Sequence, residues 1–171
     1  MNLPERKPTR LKGYDYGTPG AYFITICTNR KLHLFGEINN EKMCLSDLGK
    51  IVNKEIMNIE PRYENIRIDK YVIMPNHIHM IIVILEAKVI NCGTDKSVPY
   101  YKKYDIPNVV GKFKAGVTRI ARNEFMHSVK TPIWQSSCHD HIIRGEKDYR
   151  KIWEYIDTNV IRWEKDCFHN D

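Results

Sequence analysis

Two histidines separated by a single residue, His77 and His79, are the side chains of this sequence best suited to chemistry. They lie in the run MPNHIHM at 74–80, and the apolar residues that follow favour a β-strand. Because successive side chains of a strand alternate between its faces, both imidazoles point the same way, about 7 Å apart. Two neutral imidazoles with an added oxygen ligand suit Mg²⁺, Mn²⁺ or Zn²⁺. A pair of hydrogen-bonded core histidines is the alternative interpretation.

A second pair with the same spacing, His139 and His141, stands on either side of Asp140. This pair is either a rival metal site or the polar end of a strand or turn. A hydrolytic metal phosphoesterase that uses both pairs and a water molecule is therefore one hypothesis for the function.

Tyr155 and Asn159 lie four residues apart in a helical pattern over residues 146–165, so they share a helix face. Other residues form the apolar stripe of this pattern: Ile152, Trp153, Ile156, Val160 and Trp163. Tyr155 is thus not needed for the core stripe and is available for chemistry. A boundary tyrosine and a polar helix-end residue are the ordinary alternatives.

The elements that must position these residues follow an α+β order. Residues 21–28 (AYFITICT) are rich in β-branched and aromatic residues and predict a strand, with residues 32–38 as its hairpin partner. Ser46 is the predicted N-cap of a helix that runs to about Asn58.

Further along the chain, residues 66–69 and 71–85 predict more strands, and residues 109–125 predict an amphipathic helix. This order fits an antiparallel sheet with helices packed on one face. The strand that carries His77 and His79 is apolar on both faces and belongs at the centre of that sheet.

Length, charge and composition limit the kinds of protein that this chain can be. The chain has 171 residues, a formal net charge of +6 and a pI near 9.0, which predicts a single domain over residues 1–171 and permits a polyanionic partner. The longest apolar run, residues 80–85, is too short to span a membrane, and we expect no secretory signal. Five scattered cysteines without a C-x-x-C pair fit a cytoplasmic protein.

Basic residues indicate where a polyanion would bind. A basic N-terminal arm at 1–13 and the outer face of the 109–125 helix offer cations for phosphate groups, and the candidates are Arg6, Arg10, Lys112, Lys114, Arg119 and Arg122. A long loop at 86–106 is either functional or disordered. A frayed terminus and a solvated helix face are the ordinary alternatives.

Further motifs occur in order from about residue 10 to 165, nearly the whole chain. They are YDY at 14–16, PGAYFITICT at 19–28, LFGEI at 34–38, MPNHIH at 74–79, FK at 113–114, WQ at 134–135, DHIIR at 140–144 and YI-x-x-N at 155–159. This set resembles the REP-associated tyrosine transposases, single-tyrosine transposases of the HUH nuclease superfamily. Val160 replaces the proline usual in that family, and residues 136–139 depart from its basic and aromatic pattern.

The resemblance implies a ferredoxin-like fold with both histidines at the centre of the sheet. It implies that His77, His79 and Asn159 bind Mg²⁺ or Mn²⁺ and that Tyr155 is the nucleophile. The implied activity is cleavage and rejoining of single-stranded DNA at palindromic, hairpin-forming ends through a covalent 5′-phosphotyrosine. A monomer and a homodimer are both left open.

A domesticated protein that binds DNA hairpins without cutting them is a competing hypothesis. All four site residues implied by the resemblance are present in the sequence, and their presence argues against a loss of cleavage.

Overall fold

The computed structural model describes residue 11 and residues 13–86, 104–125 and 131–169. Its strands are β1 (Gly20–Cys27), β2 (Gly36–Asn39), β3 (Lys42–Leu45), β4 (Ile66–Ile73), β5 (His77–Ile84) and β6 (His139–Ile142). Its α-helices are α1 (Asp47–Met57), α2 (Ile59–Arg62), α3 (Ile106–Glu124) and α4 (Glu146–Thr158), and short 3₁₀ helices occupy Asn29–Lys31 and Trp163–Lys165. Most of the predicted arm at 1–13 and of the loop at 86–106 lies outside the described residues.

Four strands form one antiparallel sheet in the order β4-β5-β1-β6. The helix α1 lies on the connection from β1 to β4, and α3 lies on the connection from β5 to β6. This order of strands and connections is that of a ferredoxin-like fold. The predicted fold class and the central position of the strand with the two histidines are confirmed.

The hydrophobic core lies between one face of the sheet and the helices α1 and α3. Alternate residues of the central strands, such as Ile24 and Ile78, are fully buried there, since every second side chain of a strand shares a face. The helices contribute Val52 of α1 and Phe113 of α3. Each buried side chain of this size stabilises the fold by roughly 1.5–3 kcal/mol, so the core holds β5 firmly in place.

The opposite face of the sheet carries the two histidines. Strand pairing places His79 beside Thr25 of β1, and α4 packs against this face, where Tyr155 contacts His79. The helix α4 is thus the exception to the prediction that the helices share one face. It buries only Ile156, and its polar side chains contact the sheet, where Tyr155 lies against His79, Tyr149 donates to Asp69 and Asp157 pairs with Lys70.

Local signals explain where several elements begin and end. Ser46 caps α1 as predicted, because its hydroxyl accepts a hydrogen bond from the backbone N–H of Gly49 at 3.0 Å.

The predicted pairing of residues 32–38 with the first strand is wrong, since β2 pairs with β3 and both edges of β1 are occupied by β5 and β6. The last helix ends at Thr158 and a turn follows it. Within the described ranges, every helix is too short or too polar to cross a membrane.

Candidate functional site

The turn before β5 fixes the position of the two histidines. His77 and His79 are 0% and 1% exposed, and their ring centroids lie 4.4 Å apart. In the turn, the carbonyl oxygen of Asn76 accepts hydrogen bonds from the backbone N–H and the hydroxyl of Thr28, at 2.9 and 3.0 Å. The chain therefore enters β5 with little freedom, and both rings are held on the same face.

One ring nitrogen of His77 is hydrogen bonded and the other is not. Nδ1 lies 2.8 Å from Oδ1 of Asn76, whereas Nε2 is buried and has no hydrogen-bond partner. Burial lowers the pKa of His77 to about 4, although the nearby Asp166 carboxylate opposes the shift. The ring is therefore uncharged at neutral pH, the form in which histidine binds metals.

His79 connects β5 to both β1 and α4. Its Nδ1 lies 2.8 Å from the hydroxyl of Thr25, and its Nε2 lies 3.1 Å from the hydroxyl of Tyr155. Burial, reinforced by the neighbouring His77, holds the pKa of His79 well below its usual range. The structure thus brings the predicted nucleophile within hydrogen-bonding distance of a predicted metal ligand.

Asp166, a carboxylate that the sequence patterns missed, completes the cluster. One ligating atom each of His77, His79 and Asp166 can be chosen so that all lie within 4.8 Å of one another. Oδ2 of Asp166 accepts a hydrogen bond from Nδ2 of Asn159 at 2.9 Å and lies 3.5 Å from the Tyr155 hydroxyl. Asp166 lies beyond the last helical pattern and belongs to no motif, so only the tertiary structure identifies it.

The donor atoms of this cluster fit a divalent ion. Imidazole nitrogens with a carboxylate oxygen are suitable ligands for Mg²⁺, Mn²⁺ or Zn²⁺. Two further observations agree, because both Nε2 of His77 and Oδ1 of Asn159 are buried without a hydrogen bond. Such orphaned atoms are rare in proteins, and a cation would satisfy both. The predicted ligands His77, His79 and Asn159 are thus brought together, with Asp166 added to them.

Tyr155 is a protonated phenol in this arrangement. Burial and the Asp166 carboxylate raise the pKa of its hydroxyl to about 12. A phenol of this kind is a weak nucleophile until a base or a positive charge activates it. A divalent ion held by the cluster would supply positive charge to the hydroxyl and to a bound phosphate.

Comparison with known proteins gives the chain a family. It is 42% identical over 175 residues to an uncharacterized protein of Haemophilus influenzae (strain ATCC 51907 / DSM 11121 / KW20 / Rd), and the match covers 99% of this chain and 96% of that protein. The chain belongs to the family of that protein. No protein-family model matches the chain.

The fold of the chain is shared with a solved REP-associated tyrosine transposase bound to a REP hairpin. The two structures superpose with a TM-score of 0.61 at 20% sequence identity, over 90% of this chain and 73% of that one. A crystal structure of a candidate transposase from Deinococcus radiodurans R1 matches with a TM-score of 0.49 at 16% identity, over 87% of this chain and 95% of that one. The chain therefore shares the fold of that solved REP-associated transposase, in agreement with the fold that its motifs predicted.

Residues 166–168, which we call the cover segment, lie over the two histidines and shield them from solvent. The ring of Phe168 packs against His77 with centroids 4.5 Å apart. The carbonyl oxygen of Phe168 accepts a hydrogen bond from Nδ2 of Asn76 at 2.7 Å, and its N–H donates to Oδ1 of Asp166 at 2.8 Å. The same segment therefore supplies a candidate metal ligand and buries the histidines.

The predicted phosphate-binding residues of α3 lie on the other side of the sheet from the cluster. Lys112, Arg119 and Arg122 are exposed on this helix, which packs on the core face. Lys114 is half-buried, and its ammonium group donates hydrogen bonds to the backbone carbonyls of residues 135 and 137, at 2.8 and 3.2 Å. Lys114 thus ties α3 to the segment before β6.

An open cavity of about 420 Å³ lies along α3 and is lined by Lys114, Arg119, Arg122 and Trp134, among others. The cations around this cavity form a basic surface that is separate from the histidine cluster. Arg6 and Arg10, the two candidates in the N-terminal arm, fall outside the described residues.

The second histidine pair lies on the same sheet face but not in the cluster. His139 stands opposite Thr25 across the β1–β6 pairing, and both His139 and His141 are exposed. Nε2 of His141 lies 2.8 Å from the carboxylate of Asp148. In the part of the chain that the structure describes, the one group of ligating side chains close enough to hold a metal is that of His77, His79 and Asp166.

Proposed function

We propose that the protein is a metal-dependent DNA transposase that cleaves and rejoins single-stranded DNA through a covalent 5′-phosphotyrosine. The observation that carries the proposal is the 3.1 Å separation between the Tyr155 hydroxyl and His79, at the edge of a buried cluster of candidate metal ligands. A nucleophile beside a divalent-ion site is the arrangement that attack on a phosphodiester requires. The tyrosine transposase fold supports the same conclusion.

In the proposed reaction, the phenolic oxygen of Tyr155 attacks the phosphorus atom of a DNA phosphodiester. A bond between this oxygen and phosphorus forms while the bond from phosphorus to the 3′ oxygen of the preceding nucleotide breaks. The phenolic proton leaves toward an acceptor such as Asp166, whose Oδ2 lies 3.5 Å away, and the departing 3′ oxygen gains a proton to become a hydroxyl. The energy of the phosphodiester is kept in the protein–DNA link.

Rejoining is the reverse of this step and needs no nucleotide cofactor. A 3′ hydroxyl attacks the phosphotyrosine, a new phosphodiester forms, and the phenol of Tyr155 is regenerated. Each chain has one Tyr155 at the cluster and therefore holds one covalent link at a time. Two simultaneous cleavages would need two chains, which is the reason to consider a homodimer.

The proposed substrate is single-stranded DNA whose ends fold into hairpins. The solved transposase with this fold is bound to a REP hairpin, and the present chain carries a net charge of +6. We assign phosphate contacts to Lys112, Arg119 and Arg122 on α3 and to Arg6 and Arg10 in the N-terminal arm. Lys114 contributes charge to the same surface while it ties α3 to the neighbouring segment.

The burial of the cluster sets a condition on this function. Because His77 and His79 are 0% and 1% exposed, a DNA phosphate reaches them only after the cover segment moves. Phe168 is the residue in the way, since its ring packs on His77 with centroids 4.5 Å apart. Cleavage is therefore expected to include an opening step.

The test is a denaturing-gel assay with Mn²⁺ and end-labelled hairpin oligonucleotides taken from the DNA that flanks the gene of the protein. We expect a protein-linked DNA band that is lost without metal and lost in Tyr155→Phe. Tyr149→Phe is the matched control, because Tyr149 lies on the same helix but donates its hydrogen bond to Asp69, at 2.8 Å. This control should keep the band.

Other results would replace the proposal. Cleaved DNA without a protein adduct, unchanged in Tyr155→Phe, would indicate a hydrolytic phosphoesterase. Tight binding of hairpins with no cleavage of any flanking end, in Mg²⁺ or Mn²⁺, would indicate a protein that holds hairpins without cutting them.

A further inference from the structure

Asn76 is fully buried, and both the nitrogen and the oxygen of its side-chain amide are hydrogen bonded. Asn76 is 1% exposed, and its Nδ2 lies 2.7 Å from the backbone oxygen of Phe168. A carbonyl oxygen only accepts hydrogen bonds, so the amide nitrogen must face Phe168. The opposite orientation would place two acceptor oxygens against each other in the protein interior, where no water relieves the repulsion.

This orientation decides which nitrogen of His77 carries the proton. With its nitrogen directed to Phe168, Asn76 presents Oδ1 to Nδ1 of His77, at 2.8 Å. Because Oδ1 also only accepts hydrogen bonds, Nδ1 of His77 must be the donor and must bear the hydrogen. A neutral imidazole carries one such hydrogen, which leaves a lone pair on Nε2.

In the described residues, no hydrogen-bond donor reaches the lone pair on Nε2 of His77. Nε2 of His77 is buried without a hydrogen bond, and so is Oδ1 of Asn159. The tautomer with its hydrogen on Nε2 could use the nearby side chain of Asn159, but it would lose the hydrogen bond to Asn76 and set the lone pair of Nδ1 against Oδ1 at 2.8 Å. The network therefore leaves the lone pair of Nε2 of His77 free to bind a cation, inside a buried cluster that also contains Asp166.

We propose that Asn76 is a positioning residue that fixes His77 in the Nδ1-protonated tautomer, with the Nε2 lone pair directed into the cluster as a metal ligand. This inference rests on the proposed function for the metal, but its central claim concerns the metal-free protein. The hydrogen bond from a ligating histidine to an outer partner sets the ring orientation and tautomer in metal sites generally.

The backbone of Asn76 supports this role. Its carbonyl oxygen accepts two hydrogen bonds from Thr28, at 2.9 and 3.0 Å, and the N–H of Met74 donates to the carbonyl oxygen of His77 at 2.8 Å. The turn between β4 and β5 is thereby tied to the end of β1. The backbone fixes the origin of the side chain, and the hydrogen bonds to Phe168 and His77 fix its direction.

The first experiment needs no variant. Long-range ¹H–¹⁵N correlation spectra of histidine-labelled, metal-free protein at neutral pH report which nitrogen of each ring is protonated. We expect His77 to be protonated on Nδ1 alone. A spectrum with the proton of His77 on Nε2 in the wild-type protein would overturn the proposal.

The second experiment measures the same spectra and the Mn²⁺ dissociation constant in Asn76→Leu and Asn76→Asp. Asn76→Leu removes the acceptor at similar size, so we expect a mixed tautomer for His77 and a loss of Mn²⁺ affinity of roughly 10- to 100-fold. Asn76→Asp keeps an acceptor oxygen toward Nδ1 and should retain the Nδ1-protonated ring, although it loses the hydrogen bond to the backbone oxygen of Phe168. Asn53→Leu is the matched control and should leave the tautomer of His77 and the Mn²⁺ affinity unchanged, because Asn53 lies on α1 and its Oδ1 accepts a hydrogen bond from Tyr71 at 2.8 Å.

The outcomes separate this inference from the proposed function. Unchanged tautomer and Mn²⁺ affinity in folded Asn76→Leu would show that Asn76 serves the turn alone and would overturn the inference. The expected tautomers in a wild-type protein that binds no Mn²⁺ would support the positioning role of Asn76 and reject the metal-dependent function. If Asn76→Leu does not fold, the wild-type and Asn76→Asp spectra decide the question.

Discussion

The hydroxyl of Tyr155 lies 3.1 Å from Nε2 of His79, the only ring nitrogen of His79 that remains for a metal. The other nitrogen, Nδ1, is engaged by Thr25 at 2.8 Å. Whether Nε2 accepts a hydrogen bond from the phenol or donates one to it, this nitrogen cannot keep that hydrogen bond and also bind a cation. Metal binding is therefore expected to release the Tyr155 hydroxyl from His79, which would leave the nucleophile free to meet a phosphate.

This competition predicts the effect of Tyr155→Phe on metal affinity. Removal of the hydroxyl should tighten Mn²⁺ binding by roughly 2- to 10-fold, the worth of one hydrogen bond that no longer has to be broken. Isothermal titration calorimetry of the DNA-free protein measures the change, and Tyr149→Phe should leave the affinity as it is. Weaker binding by Tyr155→Phe would instead identify the phenolic oxygen as a ligand.

Asp166 gives a second prediction, because its carboxylate acts on both the candidate metal and Tyr155. Asp166→Asn removes a negative ligand at constant shape and should weaken Mn²⁺ binding by at least about 10-fold. The same change should lower the pKa of Tyr155 from about 12, since the carboxylate is one cause of the elevation. Ultraviolet titration of tyrosinate in the metal-free protein reports the second effect.

Asp157→Asn is the control for Asp166→Asn. Asp157 lies on the outer surface of α4 and pairs with Lys70, so its neutralisation should change neither the Mn²⁺ affinity nor the titration of Tyr155. Equal effects of the two substitutions would mean that the cluster responds to overall charge and that Asp166 is not a ligand.

The sequence predicted those parts of the site that depend on short spacings. His77 and His79 share a face because they are two residues apart on a strand, and Tyr155 and Asn159 come together because they are four residues apart on a helix. Asp166 could not be found in this way, because it contacts Tyr155 and Asn159 only after the chain turns back beyond α4.

The same limit applies to contacts between distant parts of the chain. The bond from Asn76 to Phe168 spans 92 residues, and no periodicity relates the two positions. The helical pattern at 109–125 correctly predicted that basic residues share one exposed face of a helix. It did not predict that this helix lies on the other side of the sheet from the histidines. Strand order decides that position, and the wrong prediction of a hairpin between residues 32–38 and β1 shows that strand partners do not follow from local patterns.

Glu55 leads to a prediction about acid stability that is independent of the site. Its buried carboxylate accepts two hydrogen bonds from Arg62, both at 3.0 Å, and one from Asn58 at 3.2 Å. Burial alone would raise the pKa of Glu55, but these hydrogen bonds outweigh it and the pKa is lowered. A carboxyl group with a lower pKa in the folded state stabilises the fold above its unfolded pKa of about 4.3. That stability is lost as the pH falls from there through the folded pKa.

Glu55→Gln should therefore be less stable than the wild type at pH 7, by about 1–2 kcal/mol, a modest value because solvent screens the partly exposed Arg62. The difference should shrink as the pH falls below about 4.3, where the wild type protonates its own carboxylate. Urea unfolding at several pH values measures this, with the exposed Glu64→Gln as control. A gap between Glu55→Gln and wild type that stays constant with pH would show that packing, not charge, is responsible.

The cover segment leads to the last prediction, which concerns access to the cluster. Phe168 packs on His77 at a centroid distance of 4.5 Å and lies 6.0 Å from His79, so Phe168→Ala should open the cluster to solvent. We expect carbethoxylation of His77 and His79, followed by mass spectrometry, to be slow in the wild type and several-fold faster in Phe168→Ala. Lys165→Ala, an exposed change in the adjacent 3₁₀ helix, should leave the rates unchanged.

The same variant tests whether opening limits the proposed reaction. If the cover segment must move before DNA can reach Tyr155, Phe168→Ala should form the protein–DNA adduct faster than the wild type at equal Mn²⁺. Faster modification of the histidines together with unchanged adduct formation would place the slow step elsewhere, in DNA binding or in the attack itself. Slower adduct formation would show that the ring of Phe168 is needed to hold Asp166 in place, because Phe168→Ala keeps the backbone N–H that donates to Oδ1 of Asp166 at 2.8 Å.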